Sequence, residues 1–330
     1  MPADEGSVDA SKGDAAYRTP RRDFFRHVVG AAAVGAGAVA FARDAAAQGA
    51  PTDLDILNFA LNLEYLEAQF YAFAANGTGL AADQLTGTQT PGAVTGARRA
   101  NLVDREVIQY VREIASDEAA HVATLRRALG SAAVAQPAID LSPTVFTAVA
   151  QAADIDLSSS GGVFDPYASD ENFLLAAYIF EDVGVTAYKG AAALLSGADV
   201  IDAAAGLLAA EAFHAGLIRS ALYRRGATVP ELREKTNQIS DARDDLDGDD
   251  ASDGPPQRNG DSDQGVSPIT SIYGTAANIV PTDSRSIVFG RNTEQVHNIV
   301  YLTREQVTAG GFFPAGTNNP NPALRRSGAN

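Results

Sequence analysis

The sequence predicts an all-α fold: a four-helix bundle over residues 53–226, followed over residues 227–330 by an irregular extension with short strands. Two observations lead to this prediction. Four long segments carry apolar residues at helical spacing, with a long link between the second and the third. The first and third segments also match each other in their acidic and aromatic positions, as do the second and fourth. We therefore expect two similar helix pairs that pack face to face.

Residues 1–47 are predicted to be an export signal and not a part of the fold. Arg21 and Arg22 precede a weakly apolar stretch over residues 28–42, and small residues over 45–47 suit a cleavage site. Paired arginines before such a stretch are typical of the twin-arginine pathway, and the stretch is short for a membrane helix. We therefore expect a periplasmic or extracellular protein, recognised by the twin-arginine translocase, with no stable membrane span after signal removal.

The first helix pair has clear start and stop signals. Its first helix is expected to begin at Asp53, capped by Thr52 or Asp53 itself, and to end at Asn76. A loop rich in Gly and Thr follows. The second helix is predicted over residues 97–129, because Gly130 allows a left-handed cap at that point.

The second helix pair follows a long crossover. Residues 131–169 contain several Gly and Pro residues, and an apolar run at 145–153 indicates one short helix within them. The third bundle helix is predicted over residues 171–195 and the fourth over residues 200–225.

The extension changes character along its length. Residues 241–263 are rich in Asp, Gly and Pro and predict a solvated or cation-binding loop rather than a helix. They resemble a calcium loop only loosely, because no Glu closes the acidic cluster at the required distance. The cluster consists of Asp244, Asp245, Asp247, Asp249 and Asp250. The segments SIVFG and VHNIVYL favour short strands or extended chain, with Phe312 and Phe313 anchoring the tail on the bundle.

Composition limits the classes of function. The formal net charge of −16 argues against a nucleic-acid partner, since phosphate binding requires a basic surface. The chain has no cysteine, which excludes disulfides, thiolate metal sites and cysteine nucleophiles. Any bound metal must therefore have oxygen and imidazole ligands.

A repeated pattern of acidic residues and histidines predicts a site for two metal ions. The second and fourth helices each contain Glu-x-x-His, and the first and third each contribute one aligned Glu. The candidate ligands are Glu64, Glu118, His121, Glu181, Glu211 and His214. Four carboxylates can offset the charge of two divalent ions, and the i, i+3 spacing places Glu and His on one helical face. This is the arrangement of the ferritin-like di-iron and di-manganese bundles, and zinc could also occupy it.

Several neighbouring residues are weaker candidates. Tyr71 and Tyr188 each follow an aligned Glu by seven positions, and they are either core aromatics or hydroxyls that support a ligand carboxylate. Asp117 and Asp182 either orient a ligand histidine or face water. The first helix offers Glu67 as well as Glu64 as a candidate ligand, but Glu67 aligns with a glycine in the repeat and is interpreted as an outward or structural charge. His297 has no partner at metal-ligand spacing and is interpreted as structural.

The motifs DILNFALNLEYLEAQFY, DEAAHVATLRRALG, FEDVGVTAY and AEAFHAGLIRSAL resemble those of exported ferritin-like domain proteins, which include plant and bacterial desiccation-related proteins. The similarity extends over residues 53–320 and includes SDARDDLDG, QVHNIVYL and GGFFPAGTN in the extension. It implies a di-metal protein linked to stress or drying, without a settled reaction. All six candidate ligands match the ferritin-like pattern.

Three functions are consistent with these features. The first is a redox enzyme, an oxidase or catalase-like protein, in which an iron or manganese pair handles dioxygen or peroxide. The second is a non-enzymatic protein that protects against drying and uses its metals structurally. Iron storage is the least favoured, because the extension gives no sign of a cage-forming surface. The sequence identifies no catalytic residue, and it leaves self-association into a homo-oligomer open.

Overall fold

The computed structural model describes residues 50–248, 263–283 and 285–330, and the predicted export signal lies outside these residues. The α-helices in the described residues are α1 Asp53–Asn76, α2 Arg105–Leu129, α3 Pro143–Ala152, α4 Asp170–Ala191, α5 Ala198–Arg225, α6 Glu231–Asp247 and α7 Thr293–Tyr301. The strands are β1 Val94–Thr95, β2 Ile139–Asp140, β3 Ile269–Ser271 and β4 Gly274–Ala276. The all-α prediction with short strands in the extension is confirmed.

The four-helix bundle consists of α1, α2, α4 and α5. Helix α1 packs along α2 and α4 packs along α5, while the two pairs meet through α1 with α4 and α2 with α5. Phe70 of α1 stacks on Phe173 of α4 with ring centroids 5.0 Å apart, near one end of the interface between the pairs. The packing therefore follows the two-fold repeat seen in the sequence.

Local capping explains where the helices begin. Thr52 and Asp55 form a reciprocal capping box at the start of α1, and Gly77 ends it in the left-handed conformation. Helix α2 begins eight residues later than predicted, at Arg105. The carboxylate of Asp170 accepts hydrogen bonds from the backbone of Val103 and Asp104, which holds this segment extended before the helix.

The crossover between α2 and α4 contains the short helix α3, as expected, and strand β2, which pairs in parallel with β1 of the loop between α1 and α2. Strand β1 pairs with β2 in the register Val94 to Ile139. Helix α3 contributes Phe146, whose ring lies 5.2 Å from that of Phe312 in the extension. The crossover thus forms part of the surface on which the extension packs.

The extension is more helical than the sequence predicted. Helix α6 continues through Asp247, so the prediction of a loop rather than a helix from residue 241 onward is wrong for residues 241–247, whereas Asp249 and Asp250 lie outside the described residues. The segment VHNIVYL forms α7 and not a strand. Its start is fixed by a capping box between Asn292 and Gln295, a local signal that the alternating apolar residues obscured.

Buried aromatic and amide side chains attach the tail to the bundle. Phe312 and Phe313 are fully buried, as expected for anchoring residues. Asn62 of α1 donates to the backbone oxygen of Asn318 at 2.7 Å and accepts from its backbone N–H at 2.8 Å. The extension therefore covers the α1 and α4 side of the bundle as part of the same core.

A buried network of arginines and aspartates also joins the extension to the bundle. It comprises Asp182, Arg219, Arg243, Asp247, Asp263 and Arg291. Asp263 accepts from Arg243 and Arg291, each at 2.7 Å. Because buried charges are costly without partners, this alternation of charge allows the six side chains to remain in the interior.

Helix α5 is the one described helix that is long and apolar enough to cross a membrane, judged by length and composition alone. In the protein it packs along α4 and turns two polar side chains, Glu211 and His214, into the bundle.

Candidate metal centre

Six buried side chains from all four bundle helices meet at the middle of the bundle. Each of α1 and α4 contributes one Glu, and each of α2 and α5 contributes a Glu and a His one turn apart. The six are Glu64, Glu118, His121, Glu181, Glu211 and His214, none more than 8% exposed. These are the residues that the repeat aligned, and the structure brings all of them together.

The two imidazole rings lie side by side, with centroids 5.8 Å apart, and their Nδ1 atoms approach the carboxylates. His121 Nδ1 is 3.3 Å from Glu64 Oε2 and 3.3 Å from Glu211 Oε1. His214 Nδ1 is 3.1 Å from Glu118 Oε1 and 3.8 Å from Glu181 Oε2. The ring of His121 therefore faces carboxylates from α1 and α5, and the ring of His214 faces carboxylates from α2 and α4.

The donor atoms divide into two overlapping groups. Glu64, Glu118, His121 and Glu211 offer ligand atoms that all lie within 4.8 Å of one another, and so do Glu181, Glu211 and His214. Glu211 belongs to both groups, and Glu118 lies between the two rings. The cluster is thus compatible with two adjacent ions.

Among the described residues, eight of the ligand atoms are buried without a hydrogen-bond partner. They are Glu64 Oε2, both carboxylate oxygens of Glu118, His121 Nδ1, Glu181 Oε2, both carboxylate oxygens of Glu211, and His214 Nδ1. Buried polar atoms are normally paired, because an unpaired one costs the desolvation free energy of the group. Because these unpaired atoms all belong to one cluster of side chains, they indicate a site that binds cations.

Burial and mutual repulsion oppose the simultaneous ionisation of these carboxylates. Burial together with the charge of Glu64 raises the pKa of Glu118 to about 8, and burial together with Glu118 raises the pKa of Glu211 to about 8. Burial and Glu211 hold the pKa of Glu181 well above its usual range. Burial opposes protonation of His121, but the nearby carboxylates of Glu118, Glu211 and Glu64 outweigh it and raise the pKa of His121. Without metal ions, protons therefore neutralise the cluster.

The metal-free protein should lose stability as the pH rises from about 4.5 to about 8. In this window the folded state retains protons on Glu118 and Glu211 that the unfolded chain, with an ordinary carboxyl pKa of 4.5, has released. The folded state binds more protons, so the free energy of unfolding falls with increasing pH. Thermal melting of chelator-treated protein at several pH values would measure this. Loading two ions should remove the dependence, and a metal-free melting temperature that increases across the window would contradict the assignment.

The two tyrosines of the repeat support the glutamates of the opposite helix pair. Tyr71 of α1 donates a hydrogen bond to Glu181 Oε1 on α4, and Tyr188 of α4 donates to Glu64 Oε1 on α1. All four side chains are at most 8% exposed. Burial and the adjacent carboxylates hold the pKa of both tyrosines well above the usual range, so the hydroxyls keep their protons and act as donors. Because each hydroxyl binds Oε1, the Oε2 atoms of Glu64 and Glu181 remain available to the cluster.

Replacing Tyr188 with Phe should weaken metal binding without preventing folding. The change removes the donor that orients Glu64 and keeps the ring, and loss of such a supporting hydrogen bond typically costs about 10–100-fold in metal affinity. Competition with a chelator would measure the affinity. Tyr110→Phe is a matched control, because Tyr110 also donates to a glutamate, Glu106, but outside the cluster. Equal affinities of both variants would show that the hydroxyl of Tyr188 does not support the site.

The two candidate aspartates differ in their surroundings. Asp117 Oδ2 lies 3.2 Å from His214 Nε2, so it can hold the ring with Nδ1 directed at the carboxylates. Asp182 is buried and accepts from Arg219 at 2.7 Å and from Arg243 at 3.0 Å. The expectation that Asp182 orients a histidine or faces water is therefore corrected, because its carboxylate is held in the arginine network.

His297 agrees with its sequence-based expectation, whereas Glu67 does not. His297 is fully buried between Thr293 and Thr317, and burial lowers its pKa to about 4, in line with a structural, neutral role. Glu67 was expected to be an outward or structural charge, but it is only 4% exposed. It borders a cavity of about 20 Å³ and lies close to Gly184 and Glu211. The sequence signal that Glu67 lies near the site is its i, i+3 spacing from Glu64, which places both side chains on the same face of α1.

A bundle of two matching helix pairs around a buried set of four glutamates and two histidines defines a protein of the ferritin-like class. The chain belongs to the ferritin-like domain family, whose model matches residues 52–224. It is 32% identical to the desiccation-related protein PCC13-62 of Craterostigma plantagineum, over 83% of this chain and 85% of that protein. It is 31% identical to the ferritin-like catalase Nec2 of Nesocodon mauritianus, over 81% of this chain and 83% of that protein. No solved structure matches the chain.

Proposed function

We propose that this protein is an exported di-metal enzyme that handles peroxide or dioxygen during stress, with iron or manganese as the metal and peroxide disproportionation as the favoured reaction. The observation that carries the proposal is the set of eight buried ligand atoms without hydrogen-bond partners around one volume. Oxygen and imidazole donors suit both metals. The similarity to a protein named as a ferritin-like catalase favours peroxide as the substrate.

The hydrogen bonding of the glutamates suggests how they share the ions. Among the described residues, neither carboxylate oxygen of Glu118 or of Glu211 has a hydrogen-bond partner, so both side chains would help to hold the two ions. Glu64 and Glu181 each have one oxygen occupied by a tyrosine hydroxyl, so each would bind through the other oxygen. His121 and His214 would bind through Nδ1. Four carboxylates would then balance two divalent charges.

When bound, an iron or manganese pair would supply two electrons to the O–O bond of one peroxide molecule and recover two electrons from a second one, which completes a disproportionation. The protein's own residues hold the ligands for this purpose. Tyr71 orients Glu181 and Tyr188 orients Glu64. Asp117 orients the ring of His214. The buried location excludes bulk water, and the raised pKa values of Glu118 and Glu211 mean that these carboxylates exchange protons for metal as the site fills.

Location outside the cytoplasm is part of the proposal and is supported by the sequence of residues 1–47. Paired arginines before an apolar stretch would direct the chain to the twin-arginine translocase, which transports folded proteins. Metal ions inserted in the cytoplasm would then be exported together with the folded bundle.

A second candidate function is protection during drying without turnover, and one observation favours it. The alignment with the related desiccation protein covers 83% of this chain, which is more than the bundle alone, and the buried ion pair between Arg243 and Asp182 joins the extension to the bundle. Bound metal would then mainly stabilise the fold by mass action.

The deciding experiment measures metal content and peroxide loss on the full-length protein recovered from its own export compartment. Two iron or manganese ions per chain together with peroxide loss would support the enzyme. Two ions without turnover of peroxide or dioxygen would overturn the enzymatic proposal in favour of protection. A chain without bound metal that also fails to take up two ions when they are supplied would refute both.

A further inference from the structure

The internal repeat is broken at one pair of positions beside the metal centre. When α4 is aligned on α1, Glu64 matches Glu181 and Tyr71 matches Tyr188, but Glu67 matches Gly184. In the folded protein these two unmatched positions are neighbours across the interface between α1 and α4. A Cβ atom placed on Gly184 would lie 3.2 Å from Glu67 Oε1 and 2.5 Å from Glu211 Oε2. The missing side chain of Gly184 thus leaves room for both carboxylates.

Glu67 lies in surroundings that do not stabilise a negative charge. It is 4% exposed, and on its outer side it borders a cavity otherwise lined by apolar residues and Gly184. These include Leu63, Leu66, Phe180, Val183, Ile299 and Phe312. Within the part of the chain that the structure describes, no hydrogen bond or ion pair reaches its carboxylate. Its nearest charged neighbours are other carboxylates, foremost that of Glu211.

Such a position is costly unless a cation lies near, because a largely buried carboxylate loses most of its hydration and gains no hydrogen bond in return. A neutral side chain of similar size would fill the same space at lower cost. The site that supplies cations is adjacent, since Glu211 is a proposed ligand of both ions.

We infer that Glu67 is a fifth carboxylate of the metal centre, which reaches the ions through the gap that Gly184 leaves beside Glu211. This inference rests on the proposed metal site. Because α4 has no counterpart of Glu67, the two metal positions are inequivalent even though the other six residues are related by the repeat. Four carboxylates suffice for two divalent ions, so a fifth favours a pair with a larger total charge, as in an oxidised pair.

The test is titration of metal-free protein with Mn²⁺, followed by electron paramagnetic resonance of the loaded form. Glu67→Gln keeps the size of the side chain and removes its charge. It should still bind two ions, with one of them weakened by about 10–100-fold, and the manganese spectrum should change. The metal-free variant should melt at or above the wild-type temperature, since a buried charge has been removed. Glu113→Gln, on the exposed face of α2, is the control and should match the wild type.

A second variant keeps the inference open to refutation if the first is uninformative. Gly184→Ala retains Glu67 but places a Cβ atom 2.5 Å from Glu211 Oε2 and 3.2 Å from Glu67 Oε1, so it should also weaken metal binding and alter the spectrum. Wild-type affinity and spectrum in both variants would overturn the inference, as would an equal loss of stability in the metal-free and loaded forms of Glu67→Gln. Failure of the wild type to bind two ions would instead overturn the proposed function, so the two failures are distinguishable.

Discussion

Replacement of Glu118 by alanine is expected to abolish the binding of two metal ions per chain. Glu118 lies between the two histidines, 3.1 Å from His214 Nδ1 and 3.6 Å from His121 Nδ1, and neither of its carboxylate oxygens has a hydrogen-bond partner in the part of the chain that the structure describes. Removing it takes away a shared ligand and one of the four negative charges, so both ions lose affinity. Peroxide loss, where the wild type shows it, should fall to background. Elemental analysis after dialysis measures the number of metal ions bound per chain directly.

Two controls separate this result from a failure to fold. Glu113→Ala lies on the same helix but on its exposed side, and it should retain two ions. The metal-free form of Glu118→Ala should be folded and should lose less stability on raising the pH than metal-free wild type, because a group whose pKa is raised by burial is gone. Retention of two tightly bound ions by Glu118→Ala would contradict the assignment of the site.

Replacement of Asp263 by alanine is expected to produce the largest loss of stability outside the metal centre. Asp263 is 1% exposed and accepts from Arg243 and Arg291, and these two guanidinium groups hold its pKa below the usual range. Without it, both arginines would be left with a deficit of negative charge in the interior. Removing one partner of a buried ion pair costs about 3–5 kcal/mol. Urea unfolding of the metal-free protein followed by circular dichroism would measure the change.

Asp245→Ala is the matched control for the network. Asp245 lies on α6, close in sequence to Asp247 of the network, but its side chain is exposed. Its replacement should change the free energy of unfolding by no more than about 0.5 kcal/mol, as surface substitutions usually do. Similar stabilities of the Asp263 and Asp245 variants would show that the network does not hold the extension on the bundle.

The sequence by itself determined the bundle helices and the inward faces that carry the metal candidates. These features depend on local periodicity and spacing. Glu118 and His121 lie on one face because they are one helical turn apart, and Thr52 and Gly77 mark the ends of α1 through their own conformational preferences. The repeat then paired the helices, because matching positions in two copies are expected to face each other.

Only the tertiary structure decided which partner each polar residue has. Tyr188 donates to Glu64 across 124 positions of the chain, and Asp182 is paired with Arg243 from the extension, 61 positions away. The space for the buried Glu67 side chain exists because α4 has Gly184 opposite it. The sequence of α1 alone does not contain this information. Local pattern cannot specify such contacts, since they depend on how distant segments pack and on the free-energy cost of leaving charge buried without a partner.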